Sequence, residues 1–200
     1  MMYSIIGAGS VGIALASQFA RSAIPVGIAN TRGPETMAPL VKDLGGTVTP
    51  LTLQQALDAE IILLAVPFWA HRDIVRATSN WTDKIVIDVT NAYGVPLDDL
   101  GDLPSSTVIA RAFPDAQIVK AFNHLSAGVL AQAPATTAGR RVIFISSDHD
   151  DAASAVSRLV EQLGYAPVNL GKLAEGGKLV QARDKQWAPL IFQDLFKPEV

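Results

Sequence analysis

Three glycines near the amino terminus carry the clearest chemical signal in the sequence. Gly7, Gly9 and Gly12 have the spacing G-x-G-x-x-G, directly after an apolar run and at the start of an amphipathic stretch. In this arrangement the first glycine permits a tight turn, the second lets the backbone approach a pyrophosphate, and the third lets a helix pack closely on a strand. Free amides at the helix start then face the phosphates. The motif predicts a dinucleotide site that comprises Gly7, Ala8, Gly9, Ser10, Val11 and Gly12.

The end of the second predicted strand distinguishes between the two nicotinamide dinucleotides. Asn30 lies 18 residues beyond Gly12, close to the spacing at which NAD enzymes place an acidic residue on a ribose hydroxyl. This chain has Asn30, Thr31 and Arg32 there instead. A 2′-phosphate would be attracted by the planar guanidinium of Arg32, and Thr31 adds a hydroxyl donor. We therefore predict NADP as the cofactor; the alternative is that Arg32 is an ordinary solvated side chain in a turn.

Further candidates lie at the ends of later predicted strands, where an open parallel sheet binds its ligands. Val66 and Pro67 end one apolar run and are expected to line the cofactor. Thr90 and Asn91 end the next run and offer hydroxyl and amide groups that suit a nicotinamide carboxamide or a ribose. His71, by contrast, is expected at the surface or at a helix terminus.

Short apolar runs rich in β-branched residues alternate with helical stretches, which is typical of a parallel sheet covered on both faces. We predict an α/β fold of the Rossmann type: doubly wound, with a mainly parallel sheet, helices on both faces and a short C-terminal helical tail. The predicted strands are Tyr3–Ile6, Val26–Ala29, Ile61–Val66, Ile85–Val89, Ile118–Ala121, Val142–Ser146 and Pro167–Asn169. The predicted helices are Ser10–Arg21, a stretch after Pro34, Pro67–Ala77 and a segment within residues 146–164.

Two segments do not fit this alternation. The region Tyr93–Pro114 has three prolines, two glycines and weak periodicity, so we predict an irregular excursion there. The apolar tail Trp187–Phe196 contains an early proline, which favours a helix. That helix is expected to dock on its own core or to form the interface of a homodimer.

The composition limits the classes of function. The chain has 200 residues without a linker-like stretch, which predicts a single domain over 1–200, with a sheet core in 1–170 and a C-terminal helical segment in 171–200. It is 49% hydrophobic and 18% charged, and its net charge of -3 is scattered, which argues against a nucleic-acid surface or a membrane patch. The absence of cysteine fits a reducing compartment, so we expect a cytoplasmic protein.

The motif and the strand pattern together resemble the NADPH-dependent F420 reductases (F420H2:NADP oxidoreductases) and their single-domain relatives, which include the cytosolic reductase domain attached to membrane ferric reductases. The matching segments are IIGAGSVG, NTRGPE, AVPFWA, KIVIDVTNAYG, VKAFNHLSAGVL and RVIFISSDHDDAASAVSRLVEQLGYAPVNLG. The resemblance implies that Asn123, His124, Leu125 and Ala127 support the reacting rings, with Asn123 and His124 as the catalytic candidates. It also implies a small-molecule electron acceptor, F420 or a flavin.

Hydride transfer between two rings requires few catalytic side chains. A hydride that passes from nicotinamide to a flavin-like ring needs no protein nucleophile, because cofactor and acceptor react while the protein fixes their distance and excludes water. The sequence accordingly shows no carboxylate pair, no Ser-His-Asp set and no metal-ligand cluster, and we predict no metal site. The expected function is an NADPH-dependent oxidoreductase.

Two other functions stay open. A β-hydroxyacid dehydrogenase-like carbonyl or imine reductase would use a lysine with an amide residue three positions further on, and Lys178 and Gln181 have that spacing. A non-enzymatic sensor that binds NADP(H) would show the same strand-end surface.

Overall fold

The computed structural model describes residues 1–101, 103–181 and 190–195. In these residues the strands are β1 (Tyr3–Ile6), β2 (Val26–Ala29), β3 (Val48–Leu51), β4 (Ile61–Leu64), β5 (Ile85–Asp88), β6 (Gln117–Lys120), β7 (Ala135–Thr136), β8 (Gly139–Ser147), β9 (Ala166–Asn169) and β10 (Gln193–Leu195). The helices are α1 (Ser10–Arg21), α2 (Ala38–Leu44), α3 (Leu53–Leu57), α4 (His71–Arg76), α5 (Leu97–Leu100), α6 (Ser105–Ala112), α7 (Ala127–Leu130), α8 (Asp150–Gln162) and α9 (Gly176–Leu179). Short 3₁₀ turns cover Pro34–Met37 and Phe68–Ala70.

The centre of the sheet is parallel, in the order β3-β2-β1-β4-β5-β6. The chain starts in the middle at β1, continues to one side through β2 and β3, and then returns to the other side of β1 with β4. Strand β8 lies antiparallel beside β6, and β7, β9 and β10 pair with β8. The predicted doubly wound α/β fold is thereby confirmed. The strand order reverses between β1 and β4, and ligands of such sheets bind at that point.

Both faces of the sheet are covered. The sequence of β4 is continuously apolar because both faces of this strand are buried. Its successive side chains alternate between the two faces. Leu63 packs in a cluster with Leu15 of α1, whereas Ile62 lies in a second cluster with Ile109 of α6. All four residues of β4 are buried, as expected for a central parallel strand.

One strand and one helix beside β2 were not expected from the sequence. Strand β3 contains Pro50, which argues against a central strand but is tolerated at a sheet edge, and β3 lies at the edge of the sheet order. Helix α3 follows at once. A capping box starts it, because Thr52 accepts from the Gln55 amide while the Gln55 side chain accepts from the Thr52 amide.

The prediction of an irregular excursion over Tyr93–Pro114 was wrong. The segment contains α5 and α6, and each begins directly after a proline, at Pro96 and Pro104. Proline is compatible with a helix start because the first helical amides have no intrahelical acceptor. Pro96 and Pro104 therefore mark helix starts, whereas Pro114 follows the end of α6. The helix predicted over Pro67–Ala77 also differs, since it divides into the 3₁₀ turn Phe68–Ala70 and α4.

The helix predicted for the tail Trp187–Phe196 also differs from the structure. Gln193–Leu195 is a strand that pairs antiparallel with β8, at Gly139 to Arg141, and is not helical. Residues 190–192 of the predicted helix are also not helical, whereas 187–189 and 196 lie outside the described residues. A homodimer through this segment stays a prediction. No helix in the described part of the chain is long and apolar enough to cross a membrane.

Candidate functional site

A cleft of about 430 Å³ opens where the strand order reverses. Three connections line it, at the carboxyl ends of β1, β2 and β4, together with one side of α4. The structure thus brings together eight residues that the sequence predicted from separate motifs: Gly7, Ala8, Gly9, Asn30, Thr31, Arg32, Val66 and Pro67. Leu53, Ala70, Asp73 and Ile74 complete much of the remaining wall.

The three motif glycines have different reasons to lack a side chain. A Cβ on Gly7 would lie 2.2 Å from the Ala65 carbonyl oxygen, and Gly7 has a φ of +117°. A Cβ on Gly12 would lie 1.8 Å from the Gly7 carbonyl oxygen. A Cβ on Gly9, by contrast, would meet no protein atom within 4 Å. Because Gly9 lines the cleft, its missing side chain leaves room for a ligand rather than for the protein itself.

The amino terminus of α1 suits an anion. No side chain caps this 12-residue helix, and its first turn has no acidic residue. The Ile13 amide donates to the Gly9 carbonyl at 2.9 Å, so the amides of Ser10, Val11 and Gly12 precede the first intrahelical hydrogen bond. Such amides and the helix dipole attract phosphate. The glycine turn and the helix start therefore fit a pyrophosphate.

Asn30 builds the turn that presents Arg32. Its Oδ1 accepts from the Arg32 amide at 2.9 Å, and its Nδ2 donates to Thr36 Oγ1 at 3.0 Å. The Thr36 hydroxyl in turn donates to the Gly33 carbonyl at 2.8 Å. Arg32 is exposed at the cleft, and no described carboxylate forms an ion pair with it. The amide at position 30 thus shapes the turn, and the guanidinium beside it is left for a ligand.

The ends of β5 and β6 hold a second group of polar residues, none of which lines the cleft. Asn91 Nδ2 donates to the Asn123 carbonyl at 2.8 Å, and Asn123 Nδ2 donates to Asn91 Oδ1 at 3.1 Å. The Thr90 hydroxyl donates to Asp88 Oδ1 at 2.7 Å. Asp88 Oδ2 lies 3.0 Å from Lys120 Nζ. We call Asp88, Thr90, Asn91, Lys120 and Asn123 the strand-end network.

Sequence reasoning missed the ion pair of this network. Asp88 and Lys120 are 0% and 1% exposed. Burial lowers the pKa of Lys120, and the charge of Asp88 opposes that shift. In the sequence, the pair could have been suspected from one acidic and one basic residue inside two otherwise apolar runs, IVIDV and IVKAF. Buried charges are paired as a rule, but the sequence does not show that β5 and β6 are neighbours.

His124 is enclosed rather than presented to solvent. It is 3% exposed, its Nε2 lies 3.2 Å from the Val142 carbonyl oxygen, and its ring contacts Phe144. Desolvation lowers the pKa of His124 to about 4, and the bond to Val142 opposes the shift. The ring is therefore neutral at pH 7, with its Nε2 proton donated to Val142. A catalytic role for His124 stays a prediction, and it would have to be that of an uncharged ring.

The remaining predicted residues take ordinary places beside this group. Leu125 is buried, and Ala127 begins α7. His71 does begin a helix, as predicted, but it is buried and its ring bonds the Phe68 carbonyl, so the surface alternative was wrong. Within the described residues no group of three or more His, Asp or Glu side chains could hold a metal ion.

Lys178 and Gln181, the pair considered for a carbonyl or imine reductase, differ in their surroundings. The Gln181 side chain is buried, and its Oε1 accepts from the Ser105 amide at 2.9 Å at the start of α6. Lys178 is exposed. The amide that such an enzyme would need is therefore committed to a structural hydrogen bond.

Comparison with known proteins gives consistent matches. Residues 3–92 match the family model described as NADP oxidoreductase, coenzyme F420-dependent. A hypothetical protein from Sinorhizobium meliloti is 42% identical, with a TM-score of 0.86 over 90% of each chain. A candidate F420-dependent NADP reductase from Arthrobacter sp. FB24 shares the fold, with 24% identity and a TM-score of 0.74 over 94% of each chain.

A longer relative matches as well. Metalloreductase STEAP3 of Rattus norvegicus is 28% identical over 189 residues, which cover 93% of this chain and 36% of that protein. The chain thus spans about a third of the length of this curated relative.

Proposed function

Because residues 3–92 match the family of coenzyme F420-dependent NADP oxidoreductases, we propose that the chain binds NADP(H) in the cleft and passes a hydride between the nicotinamide and a planar acceptor. The acceptor we propose is F420 or a flavin. The observation that carries the proposal is the pairing, in one cleft, of an open glycine turn at a helix start with an arginine that has no described ionic partner. These are the two anion sites that a dinucleotide with a 2′-phosphate requires.

The fit of the residues to NADP(H) can be followed along the cleft. Gly9 and the amides of α1 would hold the pyrophosphate, and Arg32 would hold the 2′-phosphate. Val66 and Pro67, at the end of β4, form the apolar wall on the way from the glycine turn toward β5. Asn91 and Asn123 lie at the next two strand ends, beside the proposed nicotinamide end. Their amides bond each other, and Asn123 Oδ1 has no partner among the described residues.

The chemistry of this edge supports hydride transfer between two rings. Bound NADPH would supply the hydride, and the protein would orient the cofactor and exclude water. His124, which a proton-transfer mechanism would need, is neutral and donates to Val142. The strand-end network is internally bonded. Reduction of a carbonyl would ordinarily need a positioned acid that protonates the developing alkoxide. Hydride transfer between two rings needs no such acid, and the described residues of this edge favour it.

The test is NADPH oxidation, followed by absorbance, with F420, FMN, FAD and a ferric chelate offered in turn. We expect tight NADPH binding and turnover with one of the ring acceptors. Turnover with the ferric chelate alone would replace the proposed acceptor class. Tight binding without turnover across the panel would favour the NADP(H) sensor, and absence of binding would overturn the proposal.

A further inference from the structure

The last residues of β5 and β6 are an opposed pair of buried charges. Asp88 and Lys120 are direct partners in the register of these neighbouring strands. Their side chains meet at 3.0 Å, and both are almost completely buried. The pair lies at the carboxyl edge of the sheet, next to the residues that the proposed function assigns to the nicotinamide end.

Asp88 and Lys120 bind the backbone amide and the backbone carbonyl of the same residue, Thr90. Asp88 Oδ1 accepts from the Thr90 amide at 2.9 Å and from its hydroxyl at 2.7 Å. Lys120 Nζ donates to the Thr90 carbonyl oxygen. The peptide groups on both sides of Thr90 are therefore fixed by charge-assisted hydrogen bonds, which are stronger than neutral ones. The next residue in the chain is Asn91.

The fixed turn leads directly to the two amide side chains. Asn91 and Asn123 bond each other twice, and Asn123 Nδ2 also donates to the Val180 carbonyl at 2.9 Å. Asn123 follows Phe122, which has a φ of +61°, a strained conformation for a bulky residue. Asn123 Oδ1 is buried and has no partner among the described residues. The network thus ends on one free amide acceptor.

Stability does not explain the ion pair. Replacing a buried ion pair with apolar residues of similar volume is often neutral or stabilising, and the surrounding strand positions Val86, Ile118 and Val119 are apolar and buried. We infer that the Asp88–Lys120 pair is a positioning device, which acts through the Thr90 turn to orient the Asn91–Asn123 amides toward the nicotinamide. This inference rests on the proposed function.

The test removes both charges together and keeps only the hydrogen bonds from Thr90 to residue 88. Asp88→Asn retains an oxygen that can accept from Thr90, and Lys120→Met retains the length of the side chain. With D88N/K120M we expect the affinity for NADPH to fall about tenfold, and the affinity for 2′,5′-ADP, which lacks the nicotinamide, to stay within about twofold. The single-turnover rate of hydride transfer should fall about 10²-fold, as for a misplacement of the reacting groups by about 1 Å.

A second comparison separates positioning from a general structural effect. If the ion pair acts through Asn91, then adding Asn91→Ala to D88N/K120M should slow hydride transfer no further than Asn91→Ala alone, because effects along one chain of contacts are not additive. Lys84→Met is the matched control. Lys84 precedes β5 at the other end of the strand, where its Nζ donates to the Ala59 carbonyl at 3.2 Å, and we expect unchanged affinities and rates.

The outcomes also separate this inference from the proposed function. Equal losses of affinity for NADPH and 2′,5′-ADP, unchanged behaviour of D88N/K120M, or additive effects with Asn91→Ala would each overturn the positioning role. A wild-type protein that binds neither ligand would overturn the proposed function, and the inference with it.

Discussion

The cleft at β1, β2 and β4 and the strand-end network at β5 and β6 hold their polar groups in opposite ways. In the cleft, backbone amides and one exposed guanidinium face open space, and Gly9 has no protein atom near its missing Cβ. In the strand-end network, two buried charges and two amides are bonded mainly to each other. The first region is therefore preorganised by backbone geometry, and the second by side-chain charge. Substitutions should separate the two, since loss of a ligand contact in the cleft changes binding, whereas loss of one charge in the network changes folding.

The largest expected effect comes from breaking the ion pair on one side only. Lys120→Met leaves Asp88 as an uncompensated buried charge, so the free energy of unfolding should fall by about 3–5 kcal/mol. D88N/K120M removes both charges and should recover most of that loss. Urea unfolding at pH 7 measures both variants. If the single and the double variant are equally unstable, the charges are not coupled as the structure places them.

In the cleft, the largest effect should be on binding rather than on folding. Arg32→Ala removes the charge-assisted bonds to the 2′-phosphate, so NADPH affinity should fall by roughly 2–3 kcal/mol, with NADH affinity nearly unchanged. Isothermal titration with both cofactors measures this. Arg72→Ala is the control, because Arg72 is exposed and lies outside the lining of the cleft. Equal losses of affinity for NADPH and NADH would show that Arg32 does not bind the 2′-phosphate.

Within the glycine motif the same contrast can be tested with two equal substitutions. Gly12→Ala puts a methyl group where a Cβ would lie 1.8 Å from the Gly7 carbonyl oxygen, so unfolding free energy should fall by about 2 kcal/mol. Gly9→Ala meets no protein atom and should leave stability unchanged. Its methyl group enters the cleft, so NADPH affinity should fall about tenfold, or about 1.4 kcal/mol. Full NADPH affinity in Gly9→Ala would contradict a pyrophosphate at this turn.

The comparison also explains which parts could be predicted from the sequence. The glycine turn and the Asn30–Arg32 turn depend on local backbone geometry, so their residue types and spacing were enough to place them in one cleft. The doubly wound fold followed from the alternation of apolar and helical stretches. The two turns are set within about 30 residues of chain, the size of one βαβ unit.

The missed features depend on contacts between distant segments. The Asp88–Lys120 pair exists because β5 and β6 are neighbours in register. Strand β10 exists because Gln193–Leu195 pairs with β8, and its local sequence carries no strand signal that outweighs the preceding proline. The enclosure of His124 likewise results from Val142 and Phe144 of β8. Sequence spacing alone does not show which strands meet.

The smallest expected effect tests that enclosure through pH. The pKa of His124 is lowered from 6.5 to about 4 in the folded protein, so between these values the unfolded chain binds a proton that the folded one does not. The stabilisation is therefore complete above about pH 6.5 and is lost as the pH falls toward 4. From pH 7 to pH 5.5 this group should lower the free energy of unfolding by about 1 kcal/mol. His124→Gln cannot take up the proton, so the difference between its pH dependence and that of the wild type isolates the contribution. Identical pH dependence in urea unfolding would mean that His124 titrates normally and exchanges with solvent, which would reopen a role in proton transfer.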